Sequence, residues 1–132
     1  MTSLDDLWVV AKTVYGEARG STWVGQLAVA HVIQNRTRDR RWPGTPSAVC
    51  KQRKQFSCWN QGEVNNWPML MADLDDPAFM RCYAAAVTVF CTEDIDATGG
   101  ANHYHTDSIS LPNWADAGKE TGRIGSHIFY KL

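Results

Sequence analysis

The chain lacks an excess of charge of either sign: thirteen Lys and Arg stand against fourteen Asp and Glu in 132 residues, a formal net charge of −1. Bulk electrostatics therefore draws it to neither nucleic acid nor an anionic membrane. It has no apolar run of 18 residues, so no transmembrane helix is expected. Its start, with Asp5 and Asp6 ahead of a short apolar stretch, has neither the basic region nor the cleavage site of a secretion signal. The resulting expectation is synthesis into the host cytoplasm without stable membrane insertion. Its four cysteines, Cys50, Cys58, Cys82 and Cys91, come at spacings that match no CxxC zinc or redox pattern. Buried thiols are expected, with one disulfide open in an oxidising compartment. Cys82 and Cys91, on one helix, would stand about 13 Å apart and could not bond each other. Repeats, low-complexity tracts and linkers are missing too, so residues 1–132 read as a single domain.

What is present suits a packed core. Hydrophobic residues make up 44% of the chain, with six Trp, four Phe and four Tyr. Leu4, Leu7, Ala11, Val14 and Ala18 recur at helical spacing, with Thr2 or Ser3 as a cap and Asp5 and Asp6 in the first turn, which predicts a helix over 4–18. Trp23, Leu27, Ala30, Val32 and Ile33 carry a second helical pattern to about Arg38, and Trp42-Pro43-Gly44-Thr45-Pro46 is turn chemistry. A short helix is expected over 47–54, and the alternation in Gln55-Phe56-Ser57-Cys58-Trp59 suits a strand. Asp75 or Asp76 should cap a core helix from Pro77 to about Cys91, with Phe79, Cys82, Tyr83, Ala86 and Phe90 on one face. Thr98-Gly99-Gly100-Ala101 breaks regular structure before an extended His103-Tyr104-His105, and residues 124–130 alternate weakly.

Charge is segregated along the chain. Arg36, Arg38, Arg40, Arg41, Lys51, Arg53 and Lys54 fall within nineteen positions that hold one acid, Asp39. Such a patch is either a solvated face or a surface that steers towards anionic wall polymer or outer-membrane phosphate. Arg36 has a rival role, holding the fold through buried pairs.

Among the acids, Glu17 is the candidate for chemistry. It lies beside the apolar stripe of the first helix, next to Gly16, where cover around the backbone thins. Partial desolvation there would raise its pKa into the range that a general acid needs near neutral pH. His103 and His105 would share one face of a strand and, with His127, could bind zinc; Cys58 with His103 as base would make a nucleophilic pair.

The string Tyr15-Gly16-Glu17-Ala18-Arg19-Gly20, followed by Gly25-Gln26-Leu27-Ala28-Val29-Ala30 and Val32-Ile33-Gln34-Asn35-Arg36, resembles the opening of the SleB-like cell wall hydrolases, a family of spore cortex-lytic enzymes and phage endolysins. Gln55 to Trp59, Gly99-Gly100-Ala101 with His103-Tyr104-His105, and Ile124 to Tyr130 resemble its later motifs in the same order. Ser21 departs from the pattern, because members often carry a second glutamate there. The resemblance implies a lysozyme-like α+β fold, mostly helical with a small β-sheet, in which Glu17 cleaves the glycan strand of peptidoglycan. It further implies a lytic transglycosylase: one carboxyl group protonates the MurNAc–GlcNAc oxygen, then takes the C6 hydroxyl proton and leaves a 1,6-anhydro sugar. No metal or other cofactor is implied.

Sugar rings stack on aromatic faces, and amides and hydroxyls bond N-acetyl groups, which makes Gln55, Phe56, Ser57, Trp59, Tyr104 and His105 the groove candidates. Gln26 and Asn35 read as structural hydrogen bonders near the catalytic helix. A hydrolytic muramidase would want a second carboxylate, and neither Glu63 nor Asp73 to Asp76 sits in a matching motif. An amidase using zinc or the Cys58–His103 pair, and a peptidoglycan-binding module without catalysis, are the other readings. The expected setting is a monomeric endolysin with no separate wall-binding domain, released to the wall by a holin, and with bacterial peptidoglycan as partner.

Overall fold

The computed structural model describes residues 2–52, 55–59 and 67–132, with the side chains of Ser57 and Trp67 outside that description. Helix α1 (Leu4–Ala18) begins at a reciprocal cap. The Ser3 hydroxyl accepts from the Asp6 amide, and the Asp6 carboxylate accepts from the Ser3 amide. Asp6 also accepts from the hydroxyl of Ser47 at 2.6 Å, which ties α1 to the start of the short α3 (Pro46–Lys51). The stripe Leu7, Val10, Ala11, Val14 and Ala18 is buried against α2 (Trp23–Thr37) and α5 (Pro77–Cys91), whose Val29, Ala30, Ile33, Phe79, Cys82, Ala86 and Val89 complete the core. Asp76 caps α5 by accepting from the Ala78 amide, and the Tyr15 hydroxyl donates to the same carboxylate at 2.8 Å.

A fourth, short helix, α4 (Trp67–Met71), is pinned to α1 by Lys12. This lysine is buried, and its ammonium donates to the carbonyls of Met69 at 2.9 Å, Leu70 at 3.0 Å and Ala72. It thereby satisfies carbonyls at the end of α4 that the helix leaves unpaired.

The remainder is a three-stranded antiparallel sheet in the order β1-β3-β2, from β1 (His103–Thr106), β2 (Glu120–Ile124) and β3 (His127–Tyr130). Tyr104 and Phe129 face Ala28 and Val32 of α2. Asn35 on α2 sets the approach to β1: its amide donates to Asp96 at 2.8 Å and to the Ala101 carbonyl at 2.9 Å. Asp96 in turn gathers Thr98 and the Gly100 amide, in a turn whose positive φ at Gly99 (69°) and Gly100 (83°) suits glycine.

The helical expectations for 4–18, for 23 to about 38, and for 77 to about 91 agree with these elements to within a residue. The strand expected over 55–59 does not form. Ser57–Trp59 is instead a 3-10 turn, and its Cys58, like Phe56 just before it, is buried. Arg53, Lys54 and Glu63 lie outside the described residues.

Candidate active site

Glu17 stands in the last turn of α1, and the glycine before it sets its surroundings. A Cβ at Gly16 would lie 2.6 Å from the Cβ of Cys58 and 2.9 Å from its sulfur. Only glycine lets the 55–59 turn lie this close to the helix. The turn then forms one wall of a groove of about 370 Å³ that holds Glu17, Arg36, Gln55 and Phe56 on one side. Tyr104, His105 and Thr106 of β1, with Ile109, Pro112 and Trp114 of the following loop, complete it.

Burial lifts the Glu17 carboxyl from 4.5 to about 7, against the opposing pull of the Arg36 guanidinium. The group is therefore shared between acid and carboxylate near neutral pH, so it can both give and take a proton there. Burial also raises the Tyr104 hydroxyl well above its usual range, helped by the nearby Glu17, which keeps it a neutral donor. Among the described residues, Glu17 is the one carboxylate lining the groove.

Gln55, Phe56, Tyr104 and His105 thus come together around Glu17. Trp59 is placed apart from them: its indole N–H donates to the Thr13 hydroxyl at 2.7 Å and Lys51 lies 5.0 Å from its ring, so it braces α1 and is not among the described residues that line the groove. The Ser57 side chain lies outside the described residues. Gln26 and Asn35 act as structural bonders, with Gln26 donating to the carbonyls of Ala18 and Arg19 at the end of α1.

The three histidines do not converge. His103 and His105 share a face with Tyr130, and the His105 ring stacks on it at 5.4 Å. His127 packs on Tyr104 and Phe129, on the other face. His105 is already bonded through both nitrogens, to the Thr106 carbonyl and the Tyr130 hydroxyl. A Cys58–His103 pair fails on chemistry, because burial pushes the Cys58 thiol up to about 12 and the His103 imidazole down to about 4. Cys50, Cys58 and Cys82 are buried free thiols, and Cys91 is exposed.

The cationic patch also divides. Arg36 is buried, Arg41 pairs with Asp39 at 2.9 Å, and Lys51 covers Trp59. Arg38 and Arg40 instead meet Lys131, from the far end of the chain, around a separate cleft of about 470 Å³. Sequence reasoning passed over Lys131 and Trp114. A tryptophan in the polar loop Pro112-Asn113-Trp114-Ala115-Asp116 is a signal that could have marked the second.

Comparison with known proteins fits this geometry. A profile of the Cell Wall Hydrolase family matches residues 20–130. The chain is 32% identical over 125 residues to a spore cortex-lytic enzyme of Halalkalibacterium halodurans, covering 95% of the chain and 34% of that protein. It is 30% identical over 129 residues to the spore cortex-lytic enzyme of Bacillus cereus, covering 98% and 45%. The chain thus spans less than half the length of these curated relatives. Among solved structures, the catalytic domain of the Bacillus cereus SleB protein superposes with a TM-score of 0.80 at 28% identity, covering 99% of this chain and 93% of that one. The catalytic domain of the germination-specific lytic transglycosylase SleB from Bacillus anthracis gives 0.77 at 28%, covering 98% and 96%. The fold is that of these domains, a lysozyme-like α+β arrangement that is mostly helical with one small sheet.

Proposed function

The chain belongs to the Cell Wall Hydrolase family, and from that premise we propose that it cleaves the glycan strand of peptidoglycan between N-acetylmuramic acid and N-acetylglucosamine. Glu17 acts alone, as acid and then as base. Protonated Glu17 gives its proton to the glycosidic oxygen as the bond to the muramic C1 breaks. The carboxylate so formed takes the proton of the muramic C6 hydroxyl, whose oxygen closes on C1. The product is a 1,6-anhydro sugar, and Glu17 is returned to its starting form. A carboxyl poised at about 7 suits both halves of that cycle.

The observation that carries the lytic transglycosylase reading over a hydrolytic one is the single carboxylate among the described groove residues. A hydrolase uses a second carboxyl group about 5 to 9 Å from the first. The test is Glu17→Gln together with mass spectrometry of the muropeptides released by the parent. Glu17→Gln should lose at least about 10² in rate, and the parent's products should be one water lighter than hydrolytic ones. Activity above roughly a tenth of the parent's would remove Glu17 from the chemistry, and hydrated products would turn the reading to a muramidase.

The proposal extends to delivery. The protein acts as an endolysin, made in the host cytoplasm and admitted to the wall by a holin. Lysis by the co-expressed pair, and none by the chain alone, is the expected result.

A further inference from the structure

Arg36 is a buried cation that makes no ion pair among the described residues; the Glu17 carboxyl, in the same groove, acts on it only through space. Arg36 is 5% exposed, and the ion pairs found among the described residues, His31–Asp94, Arg41–Asp39 and Arg123–Glu120, leave it out. Two of its five N–H donors are engaged there: Nε donates to the Asn102 carbonyl at 2.7 Å and Nη1 to the Gln55 Oε1 at a long 3.3 Å. The rings of Trp42 and Phe56, at 5.5 and 5.3 Å, hold the guanidinium in place. Its third nitrogen, Nη2, is not sealed in the protein, since the buried unpartnered side-chain atoms among the described residues are the Oε1 of Gln26 and of Gln52. Arg36 lines the groove together with Glu17, which is the open space its side chain meets.

A buried charge without a directly bonded counter-ion is costly, and the cost falls when an oxygen-bearing group arrives. A guanidinium immobilised with open N–H groups is arranged to receive a planar oxygen group through two hydrogen bonds. Both sugars of the glycan strand carry an acetamido carbonyl, so contact with that group cannot tell them apart. The lactyl substituent, with its carboxyl or amide carbonyl, is on the muramic sugar alone.

We propose that Arg36 is the specificity-determining residue of the groove: it takes the lactyl carboxyl or carbonyl oxygens of a muramic residue and so selects which of the two alternating bonds is presented to Glu17. This rests on the reading of the groove as a glycan site, but it is tested by binding and so is independent of turnover.

The experiment titrates the labelled parent protein with N-acetylmuramic acid and with N-acetylglucosamine, following the Arg36 Nη–H groups and the groove amides by NMR. The expected result is a preference of roughly tenfold for the muramic sugar, as a charge-assisted contact gives, with the Nη–H resonances moving for that sugar only. Arg36→Gln should erase the preference, and Arg36→Lys, which keeps the charge without the fork, should lower it several-fold. Equal affinities in the parent, or a muramic preference that leaves the Nη–H groups unmoved, would overturn the assignment even if neither variant folds. Nη–H groups that move alike for both sugars make the acetamido group the ligand and overturn it too. Binding of neither sugar at tens of millimolar removes the groove as the sugar site and the assignment with it. Should Glu17→Gln stay active while these shifts are seen, the mechanism fails and Arg36 keeps its role.

Discussion

Replacing Glu17 with Gln removes a carboxyl group whose ionisation the groove resists, so the variant should be more stable than the parent at the pH where the parent works. Glu17 titrates at about 7 in the folded chain against 4.5 for an unburied carboxyl, and desolvation is the cause. A pKa raised by folding means that the folded state favours the neutral acid. The contribution of this group to stability is then greatest below the unfolded value, falls as pH rises from about 4.5, and is fully lost above about 7. At 1.36 kcal/mol per unit, the gap corresponds to roughly 3 kcal/mol. Glutamine is nearly isosteric and cannot ionise, so it escapes this cost. Thermal unfolding of both proteins at about pH 8 should place Glu17→Gln about 10 °C above the parent, and the gap should close by about pH 4. Equal melting at both pH values would refute the claim that the carboxyl is desolvated. A gap that persists unchanged into acid would assign the gain to packing.

Gly16→Ala should cost about 1 to 3 kcal/mol and most of the activity, because its Cβ would meet Cys58 at 2.6 Å; adding Cys58→Gly should recover much of both, as denaturant melts and turnover would show. Lys12→Met leaves the carbonyls of Met69, Leu70 and Ala72 without their donor. A loss of about 2 to 3 kcal/mol is expected, and an unchanged urea midpoint would contradict the clamp. Replacing Arg38, Arg40 and Lys131 together with Gln should weaken binding to sacculi at low salt and leave little difference at high salt, with turnover of short soluble glycans kept. Treatment with EDTA should leave lysis unchanged, and restoration by zinc after a loss would reopen the metal reading.

The parts of this molecule that announce themselves in the sequence are those whose causes are local. Ser3 with Asp6, Asp76 with Pro77, and the apolar stripes of α1 and α5 each write a helix within a few residues. Glu17 stood out for the same reason, through Gly16 and the stripe beside it. Gln55 to Trp59 misled because alternation over five residues suits a strand and a 3-10 turn equally, and contact with α1 decided between them. Strand β2 carried no pattern, since its side chains are mostly exposed and pairing with β3 sets its register. Arg36 looked like a surface charge among surface charges. Its burial depends on a carbonyl 66 residues away, which no window on the sequence could reveal.

The outer lip of the groove runs through residues 107–119, between strands that are both hydrogen-bonded to β3. Such a segment is a tethered loop with fixed ends. Doubling its length would cost only about 0.6 kcal/mol of closure entropy, and it would not disturb the helix that carries Glu17. The acid and the rim are thus mechanically separable. Insertions, shortened versions and exchanged aromatics at Ile109, Pro112 or Trp114 can reshape what enters while the proton-handling machinery stays as it is. That loop is where a library of variants has the most to gain and the least to break.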